Sequence, residues 1–512
     1  MNTLFLPAEL QSTRRSEWLT LAVLVGAIVV LHLTQLRPGH DWGDDYAMYL
    51  SHALNLLSGK PYADTGFLPN PWAVPGPPTY PPVYPLMITP VVAVWGLDLQ
   101  PLKVFGIAML GASLAMSYAL WRPRLGVKPA LCLVALLGLS PFFVGFRNEV
   151  RPDTLFMFLF LATLWLGDRW AGHAHPWSAR TLWRGLALGV VAYLAYGTRS
   201  LGLVLLPALW LVDLWRLRRP TPVVIAATLV CAVLVILQSA WLHTDAGYAG
   251  NLTLDAHTLR YNLLHYVTSL SVLWTNALPS PWDFGLRAAL FVSTLVLASV
   301  GYIASLRRGI GVLEVVPWLY FVPLVIYWVG TMIQQRYLLP LFPLFLYYAW
   351  VGGEVIRRLL SPRVGTTALA LLVAAIAVAY GSGHAAASRT EIRPGTGDAE
   401  SREVYAWLRD RTPVDAVILV GRARAIALNT QRVSVSPFGF RTDEALWGLI
   451  AEHRVTHVVV GLGPLAKEMD YEHPDDLARF AAANVTQLQP VFRNAAFEIH
   501  AVTAPPSGLA GR

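Results

Sequence analysis

Residues 40–62 read HDWGDDYAMYLSHALNLLSGKPY, and the chain reaches them from an apolar run, Leu19 to Leu36. Three aspartates crowd five positions (Asp41, Asp44, Asp45). Tyr46, Tyr49, Leu50, Ala53, Leu54 and Leu57 then recur at helical spacing, and Gly59-Lys60-Pro61 stops the pattern. Such a run is long enough to cross a bilayer, and acid at its mouth marks where the chain re-enters water. The amphipathic segment behind the aspartates is expected to form a helix lying in the outer interface. The run follows Arg14 and Arg15, exceeds a signal-peptide core and precedes no small-residue cleavage site. It is therefore expected to persist as a first membrane span.

Similar runs recur along the chain. The expected spans are 18–36, 102–121, 129–146, 154–168, 183–198, 200–215, 221–242, 286–306, 312–332, 337–356 and 366–381. With 55% hydrophobic and 14% charged residues, the 512-residue chain is too poor in charge for a soluble protein. The 19 Trp and 20 Tyr suit interfacial belts or buried packing. The net charge of +8 does not indicate a nucleic-acid partner, because the arginines sit in short clusters between apolar runs. Cys132 and Cys231 both fall inside expected spans, which argues against a disulfide between them.

Arginine placement sets the orientation. With the N-terminus in the cytoplasm, inside connections carry Arg14/Arg15, Arg122/Arg124/Lys128, Arg169/Arg180/Arg184, Arg216/Arg218/Arg219, Arg307/Arg308 and Arg357/Arg358/Arg363. Outside connections are longer in total but poorer in basic residues. Pro82–Gly96 is apolar, short and carries three prolines, and counting it as a crossing would invert every later loop. It is read as a re-entrant or interfacial helix. The expected fold is thus a polytopic α-helical membrane domain of about eleven spans, residues 1–384, with 37–101 as its first outer loop. A soluble extracytoplasmic α/β domain, 385–512, follows, and the expected location is the plasma (inner) membrane.

In that tail AESREVYAWLRDR, TDEALWGLIAEHR and DDLARFAAA read as helices, and AVILVG, THVVVGLG and AFEIHAV as strands. VVVGLG lacks the full dinucleotide fingerprint and reads as a turn.

The polar groups suited to chemistry collect on the expected outer side: Asp44, Asp45, Glu149, Arg151, Asp153, Arg199 and Arg336. Ionisable groups at a membrane boundary are costly unless hydrated or paired, and they often mark a site. Singly they have plainer readings. Asp41 is a solvated cap, Arg151 and Asp153 a structural ion pair at a helix start, and Arg199 and Arg336 snorkelling groups. A loop rich in Pro and aromatics, NPWAVPGPPTYPPVYP, is stiff enough to wall a substrate cavity. The outer histidines, His52 among them, lack ligand spacing, so neither a resident metal nor another cofactor is expected.

Four local patterns together resemble the GT-C membrane glycosyltransferases, in particular the family 39-type branch of protein O-mannosyltransferases and lipid A aminoarabinose transferases. They are Asp45 four residues before Tyr49 with A-x-N-L-L-x-G-x-P-Y (Ala53–Tyr62); Y-P-P-x-x-P-L (Tyr80–Leu86); R-x-D (Arg151, Asp153); and T-R-S-x-G (Thr198–Gly202) with R-Y-L-L-P (Arg336–Pro340).

The resemblance implies an inverting glycosyltransferase. It would move a hexose or pentose from a polyprenyl-phosphate donor in the bilayer to a lipid, glycan or protein hydroxyl on the outer face. Asp45 matches the family's first-loop acid and so its catalytic base, with Asp44 as the runner-up that could orient the acceptor, and Asp153 matches the second acid. Arg151, Arg199, Arg336 and Lys60 are candidates for the departing phosphate, which a guanidinium binds bidentately. Tyr49, Tyr80 and Glu149 are expected to line the cavity. One departure is that Tyr80 stands where the aminoarabinose transferases carry a phosphate-contacting Lys. The alternative class is a transporter or flippase of lipid-linked glycans.

Overall fold

The computed structural model describes residues 8–43, 45–70, 79–242, 252, 254–274, 281–327, 335–389, 395–440, 442–470 and 473–503. In chain order the elements are α1 (Ala8–Thr34), α2 (Asp45–Ser58), β1 (Phe67–Leu68), α3 (Val83–Trp95), α4 (Leu99–Leu125), α5 (Val127–Gly138), α6 (Phe142–Arg147), α7 (Asp153–Trp170), α8 (Ala179–Thr198), α9 (Leu205–Leu217), α10 (Pro222–Leu242), α11 (Ala256–Ser269), α12 (Pro281–Arg308), α13 (Val312–Ile326), α14 (Phe342–Leu359) and α15 (Pro362–Arg389). Then follow α16 (Ala399–Arg411), β2 (Val417–Val420), α17 (Ala423–Thr430), β3 (Val433–Val435), α18 (Asp443–His453), β4 (His457–Gly461), α19 (Pro464–Met469), α20 (Asp476–Ala483), β5 (Leu488–Arg493) and β6 (Phe497–Val502).

The chain divides into two compact units. One comprises Met1–Leu36, Lys103–Leu237 and Leu252–Thr390; the other comprises Arg37–Leu102, Gln238–Asn251 and Glu391–Arg512.

The first unit is helical. Seven helices among the described residues are long and apolar enough to cross a membrane: Arg15–Thr34, Leu99–Leu125, Ser200–Leu217, Pro222–Leu242, Phe284–Arg308, Gln335–Leu359 and Pro362–Ser388. The expected span 129–146 is not one continuous helix. Pro141 interrupts it, leaving the 12-residue α5 and the 6-residue α6. The carbonyls freed at the break are capped by side chains. Tyr380 Oη donates to Leu136 O at 2.9 Å, His32 Nε2 lies 3.1 Å from Gly138 O, and His384 Nε2 lies 2.9 Å from Leu139 O. Broken backbone away from water requires such partners. α12 and α14 pack backbone to backbone through Gly301 and Gly352. A Cβ on Gly352 would lie 1.8 Å from Leu297 O, so only glycine fits.

The second unit is built on a six-stranded sheet ordered β1-β3-β2-β4-β6-β5. β1, β3, β2 and β4 run parallel, while β6 pairs antiparallel with both β4 and β5. Val417–Val420 is wholly apolar, as a parallel strand covered on both faces should be. Its core joins Leu419, Val435, Val458 and Val460 to Trp447 and Ile450 of α18 and Phe480 of α20. β1 comes from far upstream: Phe67 pairs with Ser434 and Leu68 with Val435. The Asn70 amide fastens the same segment by donating to Ser436 O (2.7 Å) and Phe438 O (2.8 Å).

α2 ends at Ser58, with Gly59 at φ +65, in agreement with the Gly-Lys-Pro stop. It is less exposed than an interfacial helix. Tyr46 to Ala53 are all buried, because α2 packs against α3 and α17 within this unit. α3 is a 13-residue helix with Pro90 inside, about 20 Å long and shorter than a bilayer core.

Candidate active site

Asp45 opens α2, where the positive end of the helix dipole favours a carboxylate. Its Oδ1 accepts a 2.6 Å hydrogen bond from the Tyr80 hydroxyl. Tyr80 can aim so well because its backbone is pinned from both sides. Its N–H donates to His52 Nε2 at 3.2 Å, and its carbonyl accepts from the Tyr62 hydroxyl at 2.8 Å. The ring rests on Tyr49, with centroids 4.9 Å apart, and Tyr49 meets Tyr84 edge-on at 5.0 Å.

His52 is the pivot of this arrangement. It is fully buried on α2 and stacks on Tyr62 at 4.0 Å. Its Nδ1 lies 2.8 Å from Tyr62 O, a pure acceptor, while Nε2 faces the Tyr80 N–H, a pure donor. Only the neutral ring with hydrogen on Nδ1 satisfies both. Burial accordingly pushes its pKa down to about 4. The Tyr62 carbonyl works against that shift and the nearby Arg424 adds to it.

Arg424, the second residue of α17, completes the group. Its Nη1 donates to the Tyr80 hydroxyl at 2.6 Å and stands 3.7 Å from Asp45 Oδ1. The guanidinium lies 4.8 Å from the Phe67 ring and 5.2 Å from the Tyr80 ring. In VGRARAIALNT it is one of two arginines, and the sequence offered no signal for it. Lys60 is exposed in the turn after α2, and Asp44 lies outside the described residues.

The first unit gathers a second set. Asp153, at the start of α7 and 1% exposed, pairs with Arg199 at the end of α8 (2.8 Å). It does not pair with Arg151, whose partner is Glu149. Asp153 Oδ2 is buried and has no hydrogen-bond partner among the described residues. The guanidinium groups of Arg199 and Arg336 approach the Tyr337 ring to 5.1 and 5.6 Å. The Tyr337 backbone is held by the Tyr320 hydroxyl at 2.8 Å. Gly202 explains the T-R-S-x-G pattern. After Arg199 the chain folds back so tightly that a Cβ there would meet the Ala195–Tyr196 peptide at 2.6 Å. Among the described residues, no group of three or more His, Cys, Asp or Glu could hold a metal ion.

Solved structures of GT-C membrane glycosyltransferases share the fold of this chain. The oligosaccharyltransferase AglB from Archaeoglobus fulgidus, in complex with an inhibitory peptide and a dolichol-phosphate, is 12% identical with a TM-score of 0.57, covering 94% of this chain and 72% of its own. ArnT from Cupriavidus metallidurans, bound to undecaprenyl phosphate, is 13% identical with a TM-score of 0.52, covering 97% and 99%. The mycobacterial arabinofuranosyltransferase AftD is 14% identical with a TM-score of 0.52, covering 94% of this chain and 40% of its own. The GT-C resemblance read from local motifs is therefore matched in the fold. No protein-family model matches the chain, and no curated relative is similar enough to be recognised.

Proposed function

We propose that the protein is an inverting glycosyltransferase that moves a sugar from a polyprenyl-phosphate donor to an acceptor hydroxyl on the outer face of the plasma (inner) membrane. In this reading the chain crosses the bilayer about eleven times with its N-terminus in the cytoplasm, and the α/β segment is extracytoplasmic. The carrying observation is the Asp45 carboxylate, aimed by the Tyr80 hydroxyl at 2.6 Å, within a GT-C fold. Solved structures of similar fold hold undecaprenyl phosphate or dolichol-phosphate, which supports a lipid-phosphate donor.

Asp45 takes the proton from the acceptor hydroxyl as its oxygen bonds to the anomeric carbon. The bond from that carbon to the phosphate oxygen breaks, and polyprenyl phosphate leaves with the electron pair. Phosphate is a good leaving group, so the base needs to be ionised and well aimed more than strong. One displacement inverts the anomeric configuration. Arg199 and Arg336 would balance the departing phosphate, with Arg151 and Lys60 as outer contacts. Asp44 would orient the acceptor beside the base, and Asp153 would serve as the second acid, paired with Arg199. Tyr49, Tyr80 and Glu149 would line the cavity. No step calls for a metal.

The test is to incubate purified protein with polyprenyl-phosphate-linked radiolabelled sugars and acceptors. A glycoside of inverted configuration is expected. Movement of intact lipid-linked sugar across vesicles without covalent product would refute transfer and favour the flippase class.

A further inference from the structure

We propose that Arg424 is a positioning residue for Asp45, acting through the Tyr80 hydroxyl, so that the α/β segment forms part of the transfer machinery. The proposal rests on the reading of Asp45 as the base. A carboxylate that must take a proton has to be charged and aimed. Tyr80 aims it, from 2.6 Å. Arg424 contributes charge, 3.7 Å from Asp45 Oδ1, and its 2.6 Å hydrogen bond to the Tyr80 oxygen polarises the phenol into a stronger donor.

The position of Arg424 follows from the topology. β2 lies between β3 and β4, and α17 begins three residues beyond the carboxyl end of β2. That edge is where open α/β sheets present ligand-directed groups. Phe67 of β1 braces the guanidinium at 4.8 Å, and β1 is held in the sheet by β3. The side chain is 12% exposed, so its charge is poorly screened by water. An arginine serving only to join α17 to α2 would matter for its shape. One that holds Asp45 in its working state would matter for its charge and its donor.

Dicyclohexylcarbodiimide modifies protonated carboxyl groups, and labelling of Asp45 in the full-length, detergent-solubilised protein can be followed by mass spectrometry at pH 6.5. Arg424→Met is expected to label about tenfold faster than the wild type, since loss of a neighbouring cation favours the protonated acid. Tyr80→Phe, which keeps the ring packing, should label faster by a smaller factor. Arg424→Lys should return the rate most of the way to wild type. An unchanged rate in Arg424→Met or Tyr80→Phe, or equal acceleration in Arg424→Met and Arg424→Lys, would overturn the proposal. Should Arg424→Met fail to fold, Tyr80→Phe and Arg424→Lys still decide it. No substrate enters the assay, so its outcome is separate from whether Asp45→Asn abolishes transfer.

Discussion

His52 gives the second unit a defined acid sensitivity. Its pKa in the folded protein is about 4, against 6.5 for a free histidine, because the ring is buried and Nε2 must stay unprotonated to accept from Tyr80. The unfolded chain therefore binds the proton more readily than the folded one. The stabilisation is complete above pH 6.5, is lost as pH falls from 6.5 to about 4, and does not decline further below that. At roughly 1.4 kcal/mol per unit the full window is worth about 3 kcal/mol, of which about 2.5 is lost by pH 4.5. His52→Gln keeps a donor and an acceptor but has no proton to gain. Chemical denaturation of both proteins at pH 7 and 4.5 should show the wild type losing about 2.5 kcal/mol more than the variant. The protection factor of the Tyr80 amide, its exchange rate corrected for the intrinsic rate at each pH, should fall with acid only in the wild type. Equal acid losses in the two proteins would refute the buried neutral histidine and the pinning of Tyr80 built on it.

Gly352→Ala should lower thermal stability by about 1–3 kcal/mol, since the new Cβ would stand 1.8 Å from Leu297 O; an unchanged melting temperature would contradict the α12–α14 packing. Arg199→Gln should cost about 3–5 kcal/mol by leaving Asp153 buried without its partner, and adding Asp153→Asn should recover part of it; strictly additive losses would argue against a coupled pair. A cysteine at position 60 should react with an impermeant maleimide from outside intact cells, and one at position 218 only after permeabilisation; the reverse pattern would invert the proposed orientation.

Elements governed by local pattern were legible in the sequence. α16 runs over Ala399–Arg411, the whole of the amphipathic segment expected there, and β2, β4 and β6 fall on the three apolar runs read as strands. Two of the missed strands, β1 and β3, are very short. β1 is two residues long and joins a strand more than 360 positions away, so no periodicity announces it. β3 has three residues. Asp45, Tyr49 and Tyr80 were singled out as candidates through spacing and resemblance, and the structure brings them together. Arg424 lies 344 residues from Tyr80 and became visible only once the sheet had formed. His52 was noted for lacking ligand spacing, yet its role is to hold two backbone groups, which spacing between side chains cannot reveal. The Arg151–Asp153 pair suggested by proximity gave way to Arg199, because the fold-back at Gly202 turns that arginine toward the start of α7.

The most direct test of the central claim is the turnover of Asp45→Asn on a polyprenyl-phosphate-linked radiolabelled sugar that the wild type transfers, measured alongside donor binding. Asparagine retains the shape and an oxygen for Tyr80 but cannot take a proton. Turnover is predicted to fall by a factor on the order of 10² to 10⁴ with donor affinity nearly unchanged. Wild-type turnover in a well-folded Asp45→Asn protein would contradict the assignment of the base.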